Sequence, residues 1–61
     1  MNEYKSEQHS KPETMELVDC MANDIVSEWQ CELWWDPIAM VWRDSENKEF
    51  ECIVHEWRYK Q

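Results

Sequence analysis

Residues 11–34 read KPETMELVDCMANDIVSEWQCELW, and whether that stretch coils or extends decides the fold. Ser10 with Glu13 three residues on has the form of a capping box, and Pro12 falls in a first turn, where its missing N–H is no loss. At 100° per residue, Met15, Val18, Met21, Ala22, Ile25, Val26, Trp29 and Leu33 gather within an arc of about 140°, the breadth of a core-facing stripe. The spacing predicts one amphipathic helix over roughly 11–34, with Trp34-Trp35-Asp36 as its exit, because a residue preceding proline, here Pro37, is pushed out of the α region. On that helix Asp24, Glu28, Glu32 and Asp36 lie four apart, and like charges so spaced repel by roughly 0.2–0.5 kcal/mol per pair, so such a one-sign face needs a partner or a reason.

Downstream, Asp44-Ser45-Glu46-Asn47 has the chemistry of a type I turn with a bulge, Asp leading and Asn where the chain must go left-handed. That turn opposes Asp44 to Lys48, Arg43 to Glu49, Trp42 to Phe50, Met40 to Cys52 and Ile38 to Val54, which yields ion, aromatic and apolar pairs together. One hairpin face then carries Ile38, Met40, Trp42, Phe50, Cys52 and Val54 toward the helix. The other carries Val41, Ile53, His55, Trp57 and Tyr59 among charged residues, and is too apolar for a solvated face. The expected fold is α+β, a small αββ protomer with one N-terminal amphipathic helix packed on an antiparallel β-hairpin. The alternative is an all-α helical hairpin, since Phe50, Ile53, Val54 and Trp57 also fit helical spacing. Residues 1–10 are expected to form a disordered polar tail and residues 11–61 a single domain.

A chain of 61 residues buries only about 60% of its unfolded surface and is marginal without association or staples. A homodimer is therefore expected, through a sheet edge or the Val41, Ile53, Trp57 surface. The three cysteines, Cys20, Cys31 and Cys52, lack the paired spacing of a disulfide framework, and the polar N-terminus has no signal-peptide pattern; a reducing cytoplasm is the simplest compartment. Cys52 and His55 point to opposite faces of a strand, and no close ligand pair of the zinc type occurs, so no metal is expected. The chain has no glycine, which removes every phosphate-cradling loop and argues against a nucleotide cofactor. Carboxylates beside solvent lack the shielding that general acid-base catalysis requires, so the chain is not read as an enzyme.

The formal net charge of −8 and pI near 4.5 oppose direct binding of nucleic acid or of an anionic membrane. Between Lys11 and Arg43 no basic residue occurs, while seven carboxylates and four of the five tryptophans do. Two functions fit this pattern. In the first, a small acidic inhibitor or modulator occupies a basic, nucleic-acid-binding surface of a larger protein, with Glu13, Glu16, Asp24, Glu28, Glu32 and Asp36 as its contact acids. Viral inhibitors of host nucleases, restriction and CRISPR systems act in this way as a class, although no residue pattern links the chain to them. In the second, the chain is a structural or regulatory homo-oligomer whose Trp34, Trp35, Val41, Ile53, Trp57 and Tyr59 mediate self-association or docking.

Overall fold

Val18, Cys20 and Ala22 are buried while Asp19, Met21 and Asn23 between them are half-exposed, a period of two that only an extended chain produces. The same alternation runs through Trp29, Cys31, Leu33 and Trp35. A computed structural model of the chain describes residues 3–60, and these contain no helix. They form five strands, β1 (Lys5–Ser6), β2 (Val18–Asn23), β3 (Glu28–Asp36), β4 (Val41–Arg43) and β5 (Ile53–Arg58). All neighbours are antiparallel, in the order β1-β5-β2-β3-β4.

The expected helix over 11–34 is thus replaced by a hairpin, and both the αββ arrangement and the all-α alternative fail. The reason lies at its middle. Asp24 Oδ1 accepts hydrogen bonds from the Val26 and Ser27 amides, both at 2.9 Å, while the Asp24 N–H donates to the Ser27 carbonyl at 3.0 Å. This local bonding competes with a helical ladder. Val18, Trp29, Trp34 and Trp35 add to it, since branched and aromatic side chains lose rotamer freedom in a helix and gain packing on a pleated surface. In the hairpin Val18 faces Leu33, Cys20 faces Cys31 and Ala22 faces Trp29.

Pro37 ends β3 as it was expected to end a helix. The following turn is held by Asp36, whose Oδ1 accepts from the Ile38 and Ala39 amides at 3.0 and 3.1 Å, and it leaves Met40 at φ 61°. The Asp44–Asn47 turn forms as expected. Asn47 takes φ 67°, Asp44 N–H donates to the Lys48 carbonyl at 3.0 Å, and Asp44 Oδ1 accepts from the Glu46 and Lys48 amides. Arg43 bridges Glu49, and the Phe50 N–H donates to the Trp42 carbonyl at 2.8 Å. There the expected register stops. Ile38 and Met40 lie in the preceding turn, and Val54 pairs with Ala22 rather than Ile38.

That departure curls the sheet. Laid flat, the lane of Phe50 outside β4 would lie about 19 Å from β5, four strand spacings away. The chain from Phe50 to Ile53 spans at most about 11 Å, so the sheet bends over its inner face. β5 also carries a bulge opposite Met21/Ala22, where Val54 and Glu56 take consecutive partners and His55 is the extra residue. The extra residue reverses the alternation. Val54 and Trp57 both point inward, although three residues apart.

The core is Val18, Cys20, Ala22, Leu33, Trp35, Trp42, Val54 and Trp57, with Cys31, Phe50 and Tyr59 packed against it. Its cover is an irregular segment, residues 7–17, in which Pro12 is buried. Trp57 Nε1–H donates to the Ser10 carbonyl at 2.9 Å, and the Glu13 N–H donates to the Tyr59 hydroxyl at 3.0 Å. Lys11 Nζ stands 5.0 Å from the centre of the Trp35 ring. Ahead of this cover, where a disordered tail was expected, β1 pairs Lys5 with Trp57 and Ser6 with Glu56; Met1 and Asn2 lie outside the described residues.

Candidate functional site

Glu28, Glu32 and Asp36 share the outer face of β3, because an even spacing keeps side chains on one side of a strand. Successive members are about 13 Å apart there, against the ~6 Å a helix would give. Each meets a nitrogen-bearing side chain from elsewhere in the chain, a cation for Glu32 and Asp36 and an imidazole for Glu28. Glu28 Oε2 lies 3.0 Å from His55 Nε2, Glu32 Oε2 lies 2.8 Å from Lys60 Nζ, and Asp36 Oδ2 accepts from Arg43 Nε at 2.8 Å. Beside them Asp19 lies 3.7 Å from Arg58, whose guanidinium stands 4.5 Å from the centre of the Tyr4 ring. The expected acidic row is therefore tied to other parts of the chain, Glu32 and Asp36 by ion pairs and Glu28 by an imidazole contact.

Two carboxyls are held below the usual aspartate range by the groups that use them. For Asp36 the Arg43 hydrogen bond leads, followed by the Ala39 amide; for Asp24 the amides of Val26 and Ser27 do so. Of the other acids expected at a contact, Glu13 and Glu16 lie exposed on the covering segment, and Asp24 is exposed in the β2–β3 turn. Glu49 and Glu51, on the passage into β5, are exposed as well. Among the described residues Glu13, Glu16, Glu49 and Glu51 take part in none of the ion pairs.

The aromatic surface is rearranged more deeply. Trp35 and Trp57 are core residues, 8% and 2% exposed, and cannot serve an interface without unfolding. Trp57 and Tyr59 owe their inward position to the bulge at His55; Trp35 owes its own to the alternation of β3. Trp34 stays half-buried on the outer face, its Nε1–H donating to the Asp44 carbonyl at 3.1 Å. Val41 is half-buried on β4, and only Ile53 of the set is exposed. Of the two indoles expected inside, Trp42 is buried and Trp29 half-buried.

Apart from Met15 on the covering segment, the exposed large apolar side chains lie at or beside the turns at the two ends of β3. Ile25 and Val26 form the tip of the β2–β3 turn, 102% and 87% exposed, with Ile53 opposite Asn23 at 64%. Ile38 and Met40 occupy the β3–β4 turn. Sequence reasoning placed Ile25 and Val26 in a helix core; the signal that separates them out is Asp24 followed three residues later by Ser27, the two ends of a turn.

Cys20 and Cys31 oppose each other on the inner face. Burial pushes the Cys20 thiol up to about 12, and burial with the neighbouring Cys52 raises that of Cys31. Among the described residues no group of three or more His, Cys, Asp or Glu is placed to hold a metal ion. No family model matches the chain, and neither a curated protein nor a solved structure matches it.

Proposed function

We propose that the chain is a small acidic binding module that occupies a basic surface of a larger protein, such as one shaped for nucleic acid, and blocks it. One observation carries this reading: every lysine and arginine stands against a carboxylate or an aromatic ring of the chain itself. Lys11 pairs with Glu7, Arg43 with Asp36, Lys48 with Glu46, Arg58 with Asp19 and Lys60 with Glu32. Lys5 lies over the Trp57 and Tyr59 rings at 4.9 and 5.1 Å. The surplus carboxylates, Glu13, Glu16, Glu49 and Glu51 among them, face solvent with no cation to offset them. A field of one sign speeds encounter with a basic groove and is weakened by salt.

The β3 row is not the contact in this reading, because Glu32 and Asp36 already pair with cations and the row is too widely spaced to follow backbone phosphates. The test is capture of partners on the immobilised chain at about 0.05 M and about 0.5 M salt, where the screening length falls several-fold. Proteins rich in Lys and Arg are expected to bind at low salt, to leave at high salt, and to be lost when Glu13, Glu16, Glu49 and Glu51 are changed together to Gln. Retention that ignores both salt and the quadruple change would refute the proposal.

A further inference from the structure

We propose that the tip of the β2–β3 turn and the start of β5 form the seat for a basic, aliphatic segment of the partner, an inference that rests on the binding reading above and gives it a location. Ile25, Val26 and Ile53 are 102%, 87% and 64% exposed, and stand beside an open groove of about 420 Å³ lined by Asn23, Asp24, Ile25, Glu51, Cys52 and Ile53. The turn is fixed in advance. Asp24 Oδ1 holds the Val26 and Ser27 amides, so presenting two adjacent aliphatic side chains requires little ordering on binding.

Charge selects the occupant. The carboxylates lining the groove are Asp24 and Glu51, and no lysine or arginine lines it. Asp24 stays ionised because the amides it accepts favour its charged form. A second copy of the chain would bring the same two acids against the first, and an anionic lipid surface would be repelled in the same way. A segment with Lys or Arg flanking Leu, Ile or Val satisfies both the aliphatic floor and the acidic rim. The site also has an open side: β1 pairs with Glu56 and Trp57 and the Glu7 N–H donates to the His55 carbonyl at 3.0 Å, so among the described residues Ile53 lies beyond that pairing, with β2 on one side and no strand on the other. Extended peptides add to such edges.

The test uses fluorescent synthetic peptides of equal length, one alternating Lys with Leu, one Lys with Ser and one Glu with Leu, titrated with the full chain and followed by anisotropy. The Lys-Leu peptide is expected to bind at least about tenfold more tightly than either control, since burying one aliphatic side chain is worth about that factor. Ile25→Ser with Ile53→Ser is expected to weaken it by about tenfold or more, whereas Ile38→Ser, at the far end of β3, leaves it unchanged. Ile25 is fully exposed, so Ile25→Ser alone keeps the test independent of folding. Equal binding of Lys-Leu and Lys-Ser peptides that falls with salt and ignores the tip would overturn this inference while leaving the acidic-surface reading standing. No binding of any basic peptide at low salt would overturn both. Tip-dependent dimerisation in sedimentation, or tip-dependent binding to phosphatidylcholine vesicles without peptide binding, would assign the seat to a different occupant and overturn it as well.

Discussion

Replacing Trp57 with Phe separates two contributions to the hold of the covering segment on the sheet. Trp57 is 2% exposed and its Nε1–H reaches the Ser10 carbonyl at 2.9 Å. Phenylalanine keeps one aromatic ring, removes the pyrrole edge and leaves that carbonyl without its donor. The lost hydrogen bond is worth about 0.5–1.5 kcal/mol, nearer the lower figure because Ser10 is exposed and water can reach its carbonyl. The lost ring edge, with the space left behind, adds roughly 1–2 kcal/mol. The sum, about 2 kcal/mol, is a large share of the roughly 3–9 kcal/mol expected of a chain this size.

Thermal unfolding followed by far-UV circular dichroism should then show Tm lowered by about 8–16 °C. Limited digestion with a glutamate-specific protease should speed up at Glu13 and Glu16, on the loosened cover. Trp34→Phe is the control. Trp34 also donates to a backbone carbonyl, that of Asp44 at 3.1 Å, but it is half-buried on the outer face, and its loss should stay below about 1 kcal/mol. Equal melting of the two variants, or Trp57→Phe within about 3 °C of the parent, would show that the cover does not secure the core and would refute the reasoning.

Met40 holds φ 61° without being glycine, so Met40→Gly should raise stability by about 1 kcal/mol in urea unfolding. Cys20 is fully buried with a thiol pushed up to about 12, and burial also raises the Cys31 thiol; iodoacetamide should modify Cys52 first in the native protein, Cys31 more slowly and Cys20 only in denaturant, as peptide mass mapping would show. Asp36 has a folded pKa depressed below 3.8 by Arg43 and two amides, so its stabilisation is complete above pH 3.8 and disappears as pH falls through the folded value. The melting gap between parent and Asp36→Asn should accordingly be full near neutrality and close in acid; a gap independent of pH would mean that the ion pair with Arg43 contributes nothing.

The turns were legible in the sequence because their chemistry is local. Asp44 and Asn47 specify their own bonding within four residues, and Pro37 ends an element whatever its type. The element itself was not legible, because Val18, Ala22, Trp29 and Leu33 satisfy helical spacing and strand alternation alike. What separates the two readings is Asp24 reaching back to the amides of Val26 and Ser27, together with the like-charge spacing of Asp24, Glu28, Glu32 and Asp36, which a strand relieves. The candidate site divides in the same way. That Glu28, Glu32 and Asp36 share a face follows from their spacing under either reading. That Arg43 meets Asp36 follows from the short β3–β4 turn, but that His55 and Lys60 meet Glu28 and Glu32 depends on residues far apart in the chain, and the inward turn of Trp57 depends on one extra residue in β5 whose presence only the partner β2 reveals.

β5 lies inside the sheet, between β1 and β2, although it is the last of the strands to be made. During synthesis the row Val18, Cys20, Ala22 therefore waits uncovered on one side until Val54 and Trp57 leave the ribosome. The sheet thus cannot grow strand by strand along the chain, and its completion waits on the distant pairing of β5 with β2, the slow kind of contact.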